Sequence, residues 1–197
     1  FCMTLIGCHS SERAAENAYR EGLRSKERGD VKQALQQFRS AVALNPQHVK
    51  AQIEIGGLLC QDRKYAEAIK HLLRVVEYGA TSSEPYAYLG YAYEQLGNLK
   101  LAEQSYQQAI ARSSGLLDVR LHLADILEAQ ERWREAADVL RDVLSVKPGI
   151  ENAAVIKTRM ALLRQPQNPD VHRALADVYI AHGDIQKGLA AYRKFAP

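Results

Sequence analysis

Four alanines, Ala34, Ala68, Ala102 and Ala136, stand 34 residues apart. A second row of small residues, Gly22, Gly56, Gly90 and then Ala124, keeps step at the same interval. Two phase-locked ladders of this period mark one supersecondary unit copied along the chain. Such a unit cannot bury its apolar face alone and must stack on a neighbour. The expected core is therefore long and thin rather than compact.

The copy from Ser83 to Ser114 is the clearest. Tyr86, Leu89, Gly90 and Tyr93 fall on one face of a first helix, Gly97-Asn98 makes a turn, and Ala102, Tyr106 and Ala109 fall on one face of a second helix. Spacings of three, four and seven residues are those of an amphipathic helix. Gly90 and Ala102 are small where the two helices cross, and Tyr93 and Tyr106 fill the wider gaps. The other copies keep the phase. The first carries Gly22, Gly29-Asp30, Ala34, Phe38 and Ala41; the second Gly56, Leu59, Tyr65, Ala68, Leu72 and Val75; the fourth Ala124, Leu127, Trp133, Ala136, Leu140 and Val143. Pro46 and Pro148 follow second helices, where proline stops a helix.

The register then breaks. The next small-residue pair, Leu175-Ala176 with Gly188, arrives after 52 residues instead of 34. The excess stretch holds Ala154, Ala161 and Pro166 at the spacing of a second helix alone. It reads as one unpaired helix or as a degenerate linker.

These motifs resemble the tetratricopeptide repeat. The resemblance implies an all-α fold, a right-handed α-solenoid of tetratricopeptide helix pairs with one unpaired helix before the last pair, and about 11 helices in one continuous stack. The expected organisation is a signal-peptide remnant, lipobox and tether over 1–14, four repeats over 15–148, an unpaired helix or half repeat over 149–168, and a fifth, truncated repeat over 169–197. It also implies a non-enzymatic protein-interaction scaffold.

The formal net charge is +3 with both signs interspersed, so no nucleic-acid partner is expected. No segment has the length of a membrane-spanning helix. The chain opens at Phe1 without Met and closes at Pro197 without a polar capping helix, which leads us to expect a longer gene product or an end face that meets a partner.

Leu5-Ile6-Gly7-Cys8 follows an apolar run and precedes the polar His9-Ser10-Ser11-Glu12. That order resembles the lipobox of bacterial lipoproteins. The resemblance implies cleavage before Cys8, acylation of Cys8, and export to the bacterial envelope with the repeats on the periplasmic side. His9 stands where an aspartate would favour the inner membrane, so the outer membrane is expected. The competing reading is an apolar helix packed on the first repeat. With Cys2 removed and Cys8 acylated, Cys60 remains alone and no intramolecular disulfide is expected.

No catalytic residues, cofactor, metal site or small-molecule substrate are expected. The six histidines have no ligand-like spacing, and neither a phosphate-binding glycine loop nor a nucleophile motif is present. His122 and Asp125 are three apart on one helix and read as a surface pair, and Trp133 reads as core.

In tetratricopeptide arrays the first helix of each pair lines a groove that binds peptide segments. By register, Tyr19, Leu23, Ile53, Glu84, Tyr88, Tyr91, Glu94, Leu121 and Asp125 fall there. Lys26, Gly57, Cys60, Asp118 and Glu128 join them. The surface is expected to be apolar and aromatic at its centre and acidic from the third repeat onward. The expected partner is a protein or peptide segment with apolar and basic side chains, with the membrane engaged through acylated Cys8. Tyr19, Leu23, Glu54, Glu84 and Tyr88 occupy the positions that clamp a chaperone's C-terminal carboxylate in some family members, and they disfavour that ligand. A cytoplasmic adaptor, or the repeat region of a larger enzyme, are the alternatives.

Overall fold

The computed structural model describes residues 2–147, 156, 159–160, 169–181 and 183–193. Among these residues it contains ten α-helices and no strand. They are α1 (Cys2–Glu27), α2 (Val31–Leu44), α3 (Val49–Gln61), α4 (Tyr65–Glu77), α5 (Glu84–Gln95), α6 (Leu99–Arg112), α7 (Leu117–Ala129), α8 (Trp133–Val146), α9 (Pro169–Ala181) and α10 (Ile185–Arg193). The chain divides into two compact units, 1–113 and 114–197.

In the first unit the helices pack as pairs α1/α2, α3/α4 and α5/α6. Each second helix also packs on the first helix of the following pair, α2 on α3 and α4 on α5, and α3 touches α5 directly. The second unit contains the pairs α7/α8 and α9/α10.

Both small-residue ladders sit at the crossings. Ala34, Ala68, Ala102, Ala124 and Ala136 are fully buried. A Cβ built on Gly22 would stand 2.5 Å from the Phe38 ring, and one on Gly56 would stand 2.5 Å from Leu72. On Gly90 it would press still closer on the Tyr106 ring. The first helix thus gives up its side chain where the second contributes a large one. Phe38, Leu72, Tyr106 and Leu140, themselves 34 apart, are all buried.

The turn inside each pair is also copied. Residues 29, 63, 97 and 131, again 34 apart, and residue 183 all adopt the left-handed conformation, with φ of 80°, 58°, 75°, 60° and 82°. Each closes the preceding helix with the same two hydrogen bonds. The Gly29 N–H donates to the Lys26 carbonyl at 3.0 Å, and the Asp30 N–H to the Ser25 carbonyl at 2.9 Å. This is the Schellman arrangement, which normally selects glycine. Arg63 and Glu131 adopt it without glycine's freedom. The following helices are capped where a suitable side chain is present: Asp30 accepts from the Gln33 N–H at 3.0 Å and Asn98 from the Leu101 N–H at 3.4 Å.

Two expectations meet differences. The register starts the first repeat at about Ala15, yet α1 is continuous helix from Cys2. The stretch read as a tether carries no glycine or proline to break the helix, and Ala15 is buried. The unpaired helix expected over 149–168 lies outside the described residues, save that Ile156, Arg159 and Met160 are helical and Ile156 is buried.

Candidate partner-binding face

Three first helices, α1, α3 and α5, bring Tyr19, Leu23, Lys26, Ile53, Glu54, Gly57, Cys60, Glu84, Tyr88 and Tyr91 to the first unit. Lys26 of α1 reaches across to Glu54 of α3, Nζ to Oε2 at 2.6 Å. Tyr88 of α5 lies against α3 at Gly57, where an added Cβ would stand 3.0 Å from the phenol Cζ and 3.1 Å from its hydroxyl. Glycine lets the tip of the ring approach the helix this closely without displacement. The period gives no hint of this notch, because Leu23, Tyr91 and Asp125 hold the corresponding places.

Tyr19 is half-buried against the Phe38 ring, centroids 5.7 Å apart, and the His48 ring, at 5.0 Å. Burial raises its phenol pKa, and the carboxylates of Glu54, Glu16 and Glu84 raise it further. Tyr88 behaves alike: burial raises its pKa, Lys26 opposes, and Glu54 and Glu84 add to the rise. Both phenols therefore feel the same two carboxylates, Glu54 and Glu84. Leu23 is half-buried against the core, and Ile53 is 8% exposed. Cys60 is buried, which pushes its thiol pKa up to about 11. It serves as core and not as an exposed groove residue.

Other predicted residues are already engaged within the chain. Tyr91 packs edge-on against Tyr65 of α4, centroids 6.0 Å apart, because that second helix closes on the next first helix. Glu94 accepts a hydrogen bond from the buried Tyr106 hydroxyl at 2.5 Å, so it serves its own helix pair. In the second unit Leu121 is half-buried. Asp125 and Glu128 both hold Arg159, at 2.5 Å and 2.7 Å. The acidic character expected from the third repeat onward is thus largely met by cations and donors from the chain itself. Arg159 is 34 residues from Asp125 and 31 from Glu128, too far for helix-face reasoning to pair them. Asp125, expected to pair with His122, holds Arg159. Burial disfavours the Arg159 charge, but Glu128 and Asp125 outweigh this and raise its pKa.

Cys8 lies within α1. The side chain of Trp133, read as core, lies outside the described residues. Among the described residues no group of three His, Cys, Asp or Glu is placed to hold a metal ion, and no helix is long and apolar enough to cross a membrane.

Comparisons with known proteins agree with the helix-pair architecture. A family model described as the cilia and flagella-associated protein 70 middle TPR-like domain matches residues 8–112, and a tetratricopeptide-repeat model matches residues 93–159. A human relative, protein O-mannosyl-transferase TMTC3, is 24% identical over 140 residues, which is 64% of this chain and 15% of that protein's length. Among solved structures, MamA superposes with a TM-score of 0.65 at 18% identity, covering 92% of this chain and 89% of the other. YrrB, described as a TPR protein with an unusual peptide-binding site, superposes with a TM-score of 0.62 at 17% identity, covering 88% and 80%. The fold is accordingly an all-α solenoid of helix pairs. The chain belongs to the tetratricopeptide-repeat proteins, within the family of the cilia and flagella-associated protein 70 middle TPR-like domain.

Proposed function

We propose that this tetratricopeptide chain is a non-enzymatic scaffold that holds a protein segment on the face built by α1, α3 and α5. Tetratricopeptide arrays are typically non-catalytic and bind peptides or proteins. The observation that carries the reading is Tyr88 seated on Gly57, one helical turn after the exposed Glu84. Aromatic side chains held by rigid helices bury much area at low entropic cost and are frequent interface anchors. With Glu84 exposed among them, the face suits a segment with apolar and basic side chains. Replacing Tyr88 by Ala is expected to weaken a bound segment at least about tenfold while far-UV circular dichroism stays unchanged. Unchanged affinity would refute this face.

The lipobox-like Leu5-Ile6-Gly7-Cys8 supports a finer reading: a lipid-anchored periplasmic assembly factor for an envelope complex, held at the outer membrane through acylated Cys8. The continuity of α1 from Cys2 to Glu27 favours a second reading, in which the first residues extend the first repeat helix of a soluble adaptor. The mass of the protein produced in a bacterium from its complete gene separates them. A product beginning at Cys8 and heavier by acyl chains supports the anchored scaffold. A product that retains Phe1 to Gly7 without acyl chains supports the adaptor.

A further inference from the structure

The carboxylates placed by register on the first helices are not equivalent once their neighbours are known. Glu94 is taken by the Tyr106 hydroxyl, and Asp125 and Glu128 by Arg159. Around α1, α3 and α5, Glu16 holds Arg20 at 3.0 Å and Glu54 holds Lys26 at 2.6 Å. Glu84 remains. It is exposed in the first turn of α5, and among the described residues no cation or hydrogen-bond donor is within bonding distance of it. The hydroxyls of Tyr19 and Tyr88 are likewise without a hydrogen-bond partner among the described residues. Tyr78, Tyr93 and Tyr179 share that state, whereas Tyr65, Tyr86, Tyr106 and Tyr192 use theirs. The face therefore carries two close ion pairs, the Glu84 carboxylate, which Lys26 attracts from beyond bonding distance, and the Tyr19 and Tyr88 hydroxyls. The α5 dipole offsets the Glu84 charge only in part, since a helix N-terminus carries about half an elementary charge.

We propose that the Glu84 carboxylate, one helical turn before Tyr88 on α5, reads a single lysine or arginine side chain of a protein segment docked along α1, α3 and α5. This rests on the reading of that face as the partner-binding one and specifies its partner. Lys26 is bonded to Glu54 at 2.6 Å and attracts Glu84 only from beyond bonding distance, so the Glu84 oxygens keep their acceptor capacity. A lysine ammonium or arginine guanidinium brings only donors, and a carboxylate accepts from it with a charge-assisted bond. Gly57 belongs to the device as a positioning residue: a Cβ there would meet the tip of the Tyr88 ring at 3.0 Å and make it shift.

The test is a selection of displayed random short peptides on the full chain, run in parallel on wild type and Glu84→Lys. Glu84 is exposed, and a melting curve verifies that each variant is folded. The expected result is a basic residue at one fixed position of the wild-type consensus, beside aliphatic residues, and loss of that preference on Glu84→Lys. Exchanging the selected lysine for norleucine should then weaken binding to wild type about tenfold, and Glu84→Gln should weaken the lysine peptide equally while leaving the norleucine peptide unchanged. A consensus without a basic position, or one whose basic position survives Glu84→Lys, overturns the proposal and leaves the partner-binding face standing. Failure of any peptide to enrich on wild type overturns both.

Discussion

Residues 1–113 keep the 34-residue period throughout, whereas 114–197 keep it only through α7/α8, and the two units divide the work of each contact differently. In the first unit the crossing residue of every first helix is glycine, and the facing residue is Phe38, Leu72 or Tyr106. In the second unit the place of glycine is taken by Ala124 and the facing place holds Leu140, both fully buried. The pair α9/α10 moves the glycine to the second helix, where Gly188 meets Ile180 and the Ala176 carbonyl. The ion pairs differ as well. Lys26 and Glu54 join first helices at the surface, their side chains 42% and 22% exposed, whereas Arg159 meets two carboxylates while only 11% exposed itself. What is repeated is a small residue facing a large one at each crossing, not the identity of either. Close-packed interiors impose that rule.

The largest expected effect comes from disturbing that pairing where it is tightest. Gly90→Ala adds one methyl against the Tyr106 ring, which is buried and tied by its hydroxyl to Glu94 and so cannot retreat. We expect a loss of about 2 kcal/mol, after allowance for alanine's better helix propensity. Tyr106→Leu in the same chain should recover part of it, reproducing the alanine–leucine combination of the fourth repeat. A double-mutant cycle by urea unfolding measures this, and coupling is expected at about 1–2 kcal/mol. Additive losses would mean that the two sites are independent and that no volume is shared between them.

The ion pairs offer a second, smaller contrast. Arg159→Ala leaves Asp125 and Glu128 facing each other without their cation, and Glu128 is mostly buried. Removing one partner of a buried pair strands charge, and with Asp125 half-exposed the cost is expected to be about 1–2 kcal/mol. Lys26→Ala, at an exposed pair, is expected to cost under about 1 kcal/mol and to fade in high salt. Equal costs measured by thermal unfolding would erase this difference between the units.

The helix pairs and their crossings were legible in the chain because a small residue recurring every 34 positions requires a packing contact that recurs with it. The candidate face was legible as a set of positions but not as a set of contacts. Gly57 occurs once and follows no period, so nothing in its spacing announced the notch that seats Tyr88. The acidic surface was overestimated for a related reason. The cation on Glu54 comes from 28 residues earlier in sequence and the one on Asp125 from 34 residues later, and helix-face reasoning sees only three or four. Glu84 stands out only after those partners are known.

The turns show the same limit and give the smallest prediction, of opposite sign. Gly29-Asp30, Gly97-Asn98 and Gly183-Asp184 announce the left-handed turn by composition, but Arg63 and Glu131 hide it in the second and fourth repeats. Their hydrogen bonds match those of the glycine turns: the Arg63 N–H donates to the Cys60 carbonyl at 3.1 Å and the Lys64 N–H to the Leu59 carbonyl at 2.8 Å, while the Glu131 N–H donates to the Glu128 carbonyl at 3.0 Å. Geometry is therefore kept at the expense of strain, since a side chain in the left-handed region costs about 1–2 kcal/mol. Glycine removes that strain but has more conformational freedom to lose on folding, about 0.5–1 kcal/mol. The net expectation for Arg63→Gly and for Glu131→Gly is a gain of about 0.5 kcal/mol each, read as a raised unfolding midpoint. Arg63→Gly should stabilise residues 1–113 and Glu131→Gly residues 114–197, and protection of the neighbouring amides from hydrogen exchange reports the two units separately. A loss of stability in either variant would mean that the Arg63 or Glu131 side chain makes a contribution larger than its backbone strain, and that the units differ at their turns as well as at their crossings.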